Sequence, residues 1–190
     1  MDAQYIIGAA RPEQFPPERS PEIAFLGRSN VGKSSLLNCL AGIERLAKTS
    51  SKPGCTRLIH FYRVGDGLRF VDLPGYGYAR VSKDMREDWK GLIEAFLLRE
   101  SLELAVLLLD ARRGWMEKDL QLKQWLEYHN RRHLVVATKF DKLKGQSEQR
   151  RGLDAIRRSC GEGEPIAFSA MTGQGVREIW QAILKTQNKP

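Results

Sequence analysis

The chain lacks the features that would place a protein in or across a membrane. Its longest apolar runs, such as Leu104 to Leu109, fall far short of the roughly 20 residues that span a bilayer. Met1 to Ala10 has no basic segment leading into an apolar one, so neither a signal peptide nor stable membrane association is expected. Cys39, Cys55 and Cys160 are scattered, odd in number and without CxxC spacing, which argues against a disulfide framework or a zinc site and favours a reducing, cytoplasmic setting. There is no internal repeat, no low-complexity tract and no spacer rich in Pro, Gly or Ser within the body, and 190 residues are enough for one substantial core. Acidic residues are the scarcer charge, 23 Asp and Glu against 31 Lys and Arg. The resulting formal charge of +8 is a moderate pull toward polyanions such as nucleic acid.

Residues 1–21, with Pro12, Pro16, Pro17 and Pro21, show little periodicity and read as an N-terminal arm; the domain proper spans 22–190. There, six strand-like runs (Ile23 to Leu26, Ile59 to Val64, Leu68 to Val71, Leu104 to Leu109, Leu134 to Ala137 and Ile166 to Phe168) alternate with helix-like patterns. Such alternation predicts an α/β fold with a mostly parallel six-stranded sheet and helices on both faces. The short link Val64 to Leu68 is too tight for a helical crossover, so one antiparallel edge strand is expected. The stripes Trp89, Leu92, Ile93, Phe96, Leu97 and Val176, Ile179, Trp180, Ile183, Leu184 have helical spacing and read as core packing.

GRSNVGKS, Gly27 to Ser34, satisfies GxxxxGK(S/T) between an apolar strand and a helix, the context of a P-loop. Gly27 and Gly32 permit the torsions and close approach that a phosphate cradle needs, while Arg28, Ser29, Asn30 and Val31 carry the loop whose backbone NH groups point at the phosphates. Lys33 would reach the β and γ phosphates, and the Ser34 hydroxyl would bind a Mg²⁺ ion bridging them. The competing reading is a glycine turn that happens to contain a lysine, and the strand and helix on either side weigh against it.

LVVATKFD puts Thr138, Lys139, Phe140 and Asp141 at another strand end. An ionised Asp141 can accept both N1-H and the N2 amino group of guanine, whereas adenine shows an acceptor at N1 and is repelled. The Lys139 stem could lie along the base, and Phe168, Ser169 and Ala170 of FSAMTG follow the last strand, where backbone NH groups could meet the guanine carbonyl. In DLPG, Asp72 is suited to hold the Mg²⁺ hydration shell and Gly75 to bring its NH to the γ phosphate, with Leu73 and Pro74 between them. In SSKPGCTRL, Thr56 is a candidate second Mg²⁺ ligand, flanked by Gly54, Cys55, Arg57 and Leu58. Lys33, Thr56 and Gly75 are thus the candidate catalytic residues.

These motifs occur in the order and spacing of the translation-factor-related GTPases, and GRSNVGKSSL with DLPGYGYARVSK resembles the EngB (YihA/YsxC) family. The resemblance covers the chain from about residue 22 to its end. It implies a Ras-like G domain and a bacterial or organellar GTPase that assists assembly of the large ribosomal subunit and its rRNA, with a link to cell division and septation. It also implies that Gly27 to Ser34, Gly54 to Leu58, Asp72 to Gly75, Thr138 to Asp141 and Phe168 to Ala170 line GTP or GDP, with Ser34 and Thr56 on Mg²⁺. Phe140 stands where the family usually has a small residue.

Tyr76 follows the DLPG glycine where Ras-like enzymes carry glutamine, so slow intrinsic hydrolysis is expected. Asn30 either stabilises its turn or holds a K⁺ ion, as in related GTPases with asparagine there. Tyr76, Tyr78 and Arg80 are candidates for a mobile surface that contacts RNA or ribosomal protein once GTP orders it. Arg131, Arg132, Arg150, Arg151, Arg157 and Arg158 form either a basic face for RNA or an ordinary solvated surface. The chain is expected to be a monomer. Besides a switch that hydrolyses GTP, a guanine-nucleotide sensor with little hydrolysis is the second reading; a membrane-associated or tRNA-modifying GTPase domain is a third, with no attached domain, lipid motif or span in its favour.

Overall fold

The computed structural model describes residues 2–47, 58–76, 83–161 and 163–187. All six expected strands are present: β2 (Glu22–Gly27), β3 (Ile59–Val64), β4 (Leu68–Asp72), β5 (Leu102–Asp110), β6 (His133–Thr138) and β7 (Ile166–Ala167). A seventh, β1 (Ala3–Ala9), precedes them, and the sheet order is β1-β3-β4-β2-β5-β6-β7.

Two expectations are corrected by β1. The sheet has seven strands, not six, and the antiparallel strand β3 is not at the edge, because β1 pairs with it from Ala3 opposite Val64 to Ala9 opposite Ile59. The N-terminal residues are therefore built into the sheet. Tyr5, Ile6 and Ile7 are exposed and a register shift falls between Tyr5 and Ile7, so this edge strand shows no clean apolar alternation in sequence.

The helices are α1 (Lys33–Ala41), α2 (Lys83–Leu97), α3 (Glu117–Tyr128), α4 (Gly145–Arg157) and α5 (Val176–Gln187). Strand β5 shows why both faces of the sheet are covered. Its Leu104, Val106 and Leu108 enter the cluster containing Leu36, Leu37 and Leu40 of α1 with Ile179 and Ile183 of α5, while Ala105 and Leu107 enter the one containing Phe96 of α2 and Leu126 of α3. A third cluster places Ile156 of α4 over Leu109, Val135 and Ala137. Leu184 departs from the expected stripe and is exposed.

At the amino end of β2, Glu22 is fully buried and fully engaged. Its Oε2 accepts from Arg99 Nε at 2.8 Å and from the Ser101 hydroxyl at 2.8 Å, and its Oε1 accepts from Arg99 Nη2 at 3.2 Å and Arg69 Nη1 at 3.3 Å. The same arginines donate to the Pro16 and Pro17 carbonyls, pinning the N-terminal segment across this end of the sheet.

Candidate functional site

The opposite, carboxyl end of the sheet collects the motifs. Strand β2 runs into the P-loop at Gly27, where a Cβ would lie 2.8 Å from Val31 Cγ1 and 3.1 Å from Leu108 Cβ, so only glycine lets the loop turn this close to β5. Gly32 (φ 109°) is left-handed and precedes α1, whose N-terminus has no side-chain cap. The first amides of α1 consequently lack a side-chain acceptor, which together with the helix dipole makes a site for anions. Asn30 is also left-handed (φ 62°), a conformation asparagine tolerates better than most residues.

Lys33 Nζ lies 2.7 Å from Asp72 Oδ1, both side chains nearly buried. Apart from this ion contact, the buried Oδ1 finds no hydrogen-bond partner among the described residues. Serine and carboxylate oxygens are hard donors of the kind Mg²⁺ prefers, so Ser34 and the under-satisfied Asp72 fit that ion. Among the described residues no group of three or more His, Cys, Asp or Glu converges, so a metal here would depend on hydroxyl, phosphate and water oxygens.

The DLPG segment runs beside the P-loop as a continuation of the β4 and β2 pairing. Leu73 N-H donates to the Phe25 carbonyl at 3.2 Å, Ser29 N-H to the Tyr76 carbonyl at 3.2 Å, and Arg28 forms an isolated parallel bridge with Tyr76. A Cβ at Gly75 would lie 2.9 Å from Ser29 N and Cα, so the contact requires glycine. Tyr76 is not a free surface ring. Its hydroxyl donates to Asp119 Oδ1 at 2.7 Å, and burial, followed by the Asp119 charge, pushes the phenol far above its ordinary range. Burial likewise raises the Asp119 carboxyl, against hydrogen bonds from Tyr76 and Met116 N-H.

On the other side of the cradle, Thr138 Oγ1 lies 2.6 Å from the Val31 carbonyl and 3.0 Å from the Leu109 carbonyl, its one proton serving one of them at a time. Lys139 (φ 56°) donates to the Asn30 carbonyl at 2.6 Å and lies 3.2 Å from Asp110 Oδ2, bracing the P-loop against β5. Burial opposes ionisation of Asp110, but hydrogen bonds from Arg112 and Lys139 hold its carboxyl down at about 2. The Ser169 hydroxyl donates to Asp141 Oδ1 at 2.8 Å and keeps that carboxyl below its usual range, leaving Asp141 an acceptor at neutral pH. A polar cleft of about 180 Å³ lies behind the P-loop, bordered by Arg28, Asn30, Asp110, Arg112, Asp119 and Lys139.

The structure thus brings together Gly27 to Ser34, Asp72 to Gly75, Thr138 to Asp141 and Phe168 to Ala170. Leu73, Phe140 and Phe168 turn their side chains into the core, so at these positions only backbone can face a ligand. The unusual Phe140 is therefore a packing residue, in contact with the cluster around Ile156. Ser169 N-H already donates to the Gln174 carbonyl, while its hydroxyl orients Asp141. Leu58 lies against Gly8 of β1, where a Cβ would be 2.8 Å from Leu58 Cδ1. Gly54, Cys55, Thr56 and Arg57, like Tyr78 and Arg80, lie outside the described residues. Asp110 and Asp119 were missed by sequence reasoning. Asp110 has a signal, since it ends an apolar strand as Asp72 does; Asp119 offered only the first-turn acidic position of a helix start.

A P-loop opening α1, a DxxG segment beside it and a TKxD strand end on a mainly parallel sheet define a Ras-like G domain. Residues 22–139 match the family of 50S ribosome-binding GTPases, and the chain is 60% identical over 188 residues to the probable GTP-binding protein EngB of Solibacter usitatus, covering 98% of this chain and 96% of that one. The chain belongs to the EngB family of GTP-binding proteins. A crystal structure of a probable GTP-binding protein EngB, 25% identical, superposes with a TM-score of 0.71 over 87% of this chain and 97% of that one. Era in complex with MgGDPNP and nucleotides 1506–1542 of 16S ribosomal RNA, 26% identical, gives 0.68 over 90% of this chain and 59% of its own.

Proposed function

We propose that the cradle binds GTP and GDP and hydrolyses GTP slowly, so that the chain acts in the cytoplasm as a switch in large ribosomal subunit assembly. The observation that carries this reading is the convergence of Gly32, Lys33, Ser34, Asp72, Gly75 and Asp141 at one end of the sheet, with Asp141 held ionised by Ser169. Asp141 accepts two guanine donors. The α1 amides and Lys33 hold the phosphates, with Lys33 exchanging its Asp72 contact for the β and γ oxygens. Ser34 and Thr56 would hold Mg²⁺ directly and Asp72 through its hydration shell, and the ion would supply charge neutralisation for phosphoryl transfer to water. Gly75, hard against Ser29, carries the amide that reads the γ phosphate. Era, a structural relative, is known with MgGDPNP and ribosomal RNA, which supports both ligand classes.

Tyr76 has its hydroxyl committed to Asp119 and is not free to orient an attacking water. That observation favours low intrinsic turnover, with activation supplied by ribosomal particles, and keeps a guanine-nucleotide sensor as the second reading. The left-handed Asn30 accounts for itself as a turn residue, so a K⁺ role rests on a salt comparison: faster single-turnover hydrolysis in KCl than in NaCl supports it, and equal rates remove it. For RNA, Arg131 is occupied with the Leu98 and Arg99 carbonyls, and Arg150 and Arg157 face acidic partners. Arg132, Arg151 and Arg158 are exposed without an ion pair among the described residues and are the better phosphate contacts. We extend the family's link to cell division to this chain on the same footing. Sedimentation with ribosomal fractions tests the switch: co-sedimentation with large subunits in GTP and release in GDP is expected, and equal distribution with both nucleotides would overturn it.

A further inference from the structure

We infer that Asp119 is a positioning residue for the γ-phosphate loop, acting through the Tyr76 hydroxyl; the inference rests on the nucleotide reading above. Asp119 is 1% exposed on the first turn of α3, with both oxygens in use: Oδ2 accepts Met116 N-H at 3.0 Å and Oδ1 accepts the Tyr76 hydroxyl at 2.7 Å. A carboxylate fixed in this way is a rigid anchor. The Tyr76 ring packs against the cluster that includes Phe96 and Leu126. The main chain of Tyr76 is held from the other side, because its carbonyl accepts Ser29 N-H at 3.2 Å and the Gly75 carbonyl accepts the Ser29 hydroxyl at 3.4 Å. Gly75, with Ser29 N and Cα only 2.9 Å from where a Cβ would be, is packed against the P-loop on one side, and a shift away from it would draw the adjoining Tyr76 off Asp119.

Helix α3 thereby sets the position of the Gly75 amide. On the nucleotide reading that amide meets the one phosphate that distinguishes GTP from GDP, while among the described residues the Tyr76 and Asp119 side chains hydrogen-bond to none of Lys33, Lys139, Asp141 and Ser169. Loss of the latch should therefore weaken GTP and spare GDP. Hydrogen bonds to charged groups contribute enough that removing one should be read as about a tenfold effect or more.

The test is equilibrium binding of fluorescent GTP-analogue and GDP, with single-turnover hydrolysis, on Tyr76→Phe, Asp119→Asn, Asp119→Ala and the double variant Tyr76→Phe/Asp119→Ala. Tyr76→Phe keeps the ring and removes the bond; Asp119→Asn keeps an acceptor oxygen. Tyr76→Phe and Asp119→Ala should each lower GTP-analogue affinity about tenfold with GDP affinity unchanged and slow hydrolysis in step, while Asp119→Asn retains most of the unmodified behaviour. The double variant should be no worse than the more affected single one, since both remove the same bond. Additive losses, or a Tyr76→Phe chain that is less heat-stable with its GTP to GDP ratio unchanged, would overturn the latch. Failure of the unmodified chain to bind GDP at all would overturn the nucleotide reading, and the latch with it.

Discussion

Two buried carboxylates lie at opposite ends of the sheet and are treated differently. Glu22, at the amino end of β2, has both oxygens saturated by two arginines and a serine. Asp72, at the carboxyl end of β4, has one buried oxygen in contact with Lys33 and no other partner among the described residues. A buried charge is costly unless its hydrogen-bonding capacity is filled. Where it is filled, as at Glu22, the charge belongs to the architecture and locks the N-terminal segment across the end of the sheet. Where it is left short, as at Asp72, the carboxylate keeps capacity for a further contact, which the proposed Mg²⁺ hydration shell would use. Proximity to glycines or motifs is not needed to tell the two apart; the count of partners does it.

The sharpest way to break this comparison is to remove Glu22. Glu22→Ala leaves Arg99 and Arg69 without their anion and should cost about 3–5 kcal/mol in chemical denaturation, without changing nucleotide affinity of the folded fraction. A loss comparable to that of an ordinary surface change would show that saturation does not mark architecture. Asp72→Asn should do the reverse, lowering GTP hydrolysis by about 10²–10³-fold in single-turnover assays while disturbing stability less than the Glu22 variant. Asp141→Asn exchanges an acceptor for a donor at the base site, and xanthosine triphosphate should gain on GTP by about tenfold or more in competition binding; retained guanine selectivity would remove Asp141 from base reading.

The smallest effect concerns pH. Asp110 is depressed to about 2 in the folded chain, so its contribution to stability is present above the ordinary carboxylate range and is lost as pH falls toward about 2. Asp110→Asn should flatten that acid limb by lowering stability at neutral pH, with little change near pH 2, where the unmodified chain has already lost the contribution. An unaltered acid limb would show that Arg112 and Lys139 do not stabilise the charged form.

Much of the fold was legible because buried parallel strands announce themselves as apolar runs: β5 and β6 could be placed within a residue or two. Strand β1 was not, since its outward Tyr5, Ile6 and Ile7 and its register shift erase the alternation that marks a strand. At the site, the P-loop, DLPG and TKFD motifs were legible because their requirements are local. Tyr76 was misjudged as a free ring because its partner Asp119 is on a helix distant in sequence, and the burial of the Phe140 side chain was not foreseen because the motif does not tell a backbone role from a side-chain one.

The sequence by itself determined the P-loop, the DLPG turn and the strand-end TKFD segment with Asp141, since each is a short run of residues whose torsions, hydroxyls and charges are set by neighbours in the chain. Tertiary structure alone decided which buried charges are saturated and which are not. Glu22 meets Arg99 across 77 residues, Tyr76 meets Asp119 across 43, and Thr138 meets the Val31 carbonyl across 107. Such pairs leave no periodic trace along the chain, because they are set by how strand ends and helix ends come together once the sheet has closed around its core.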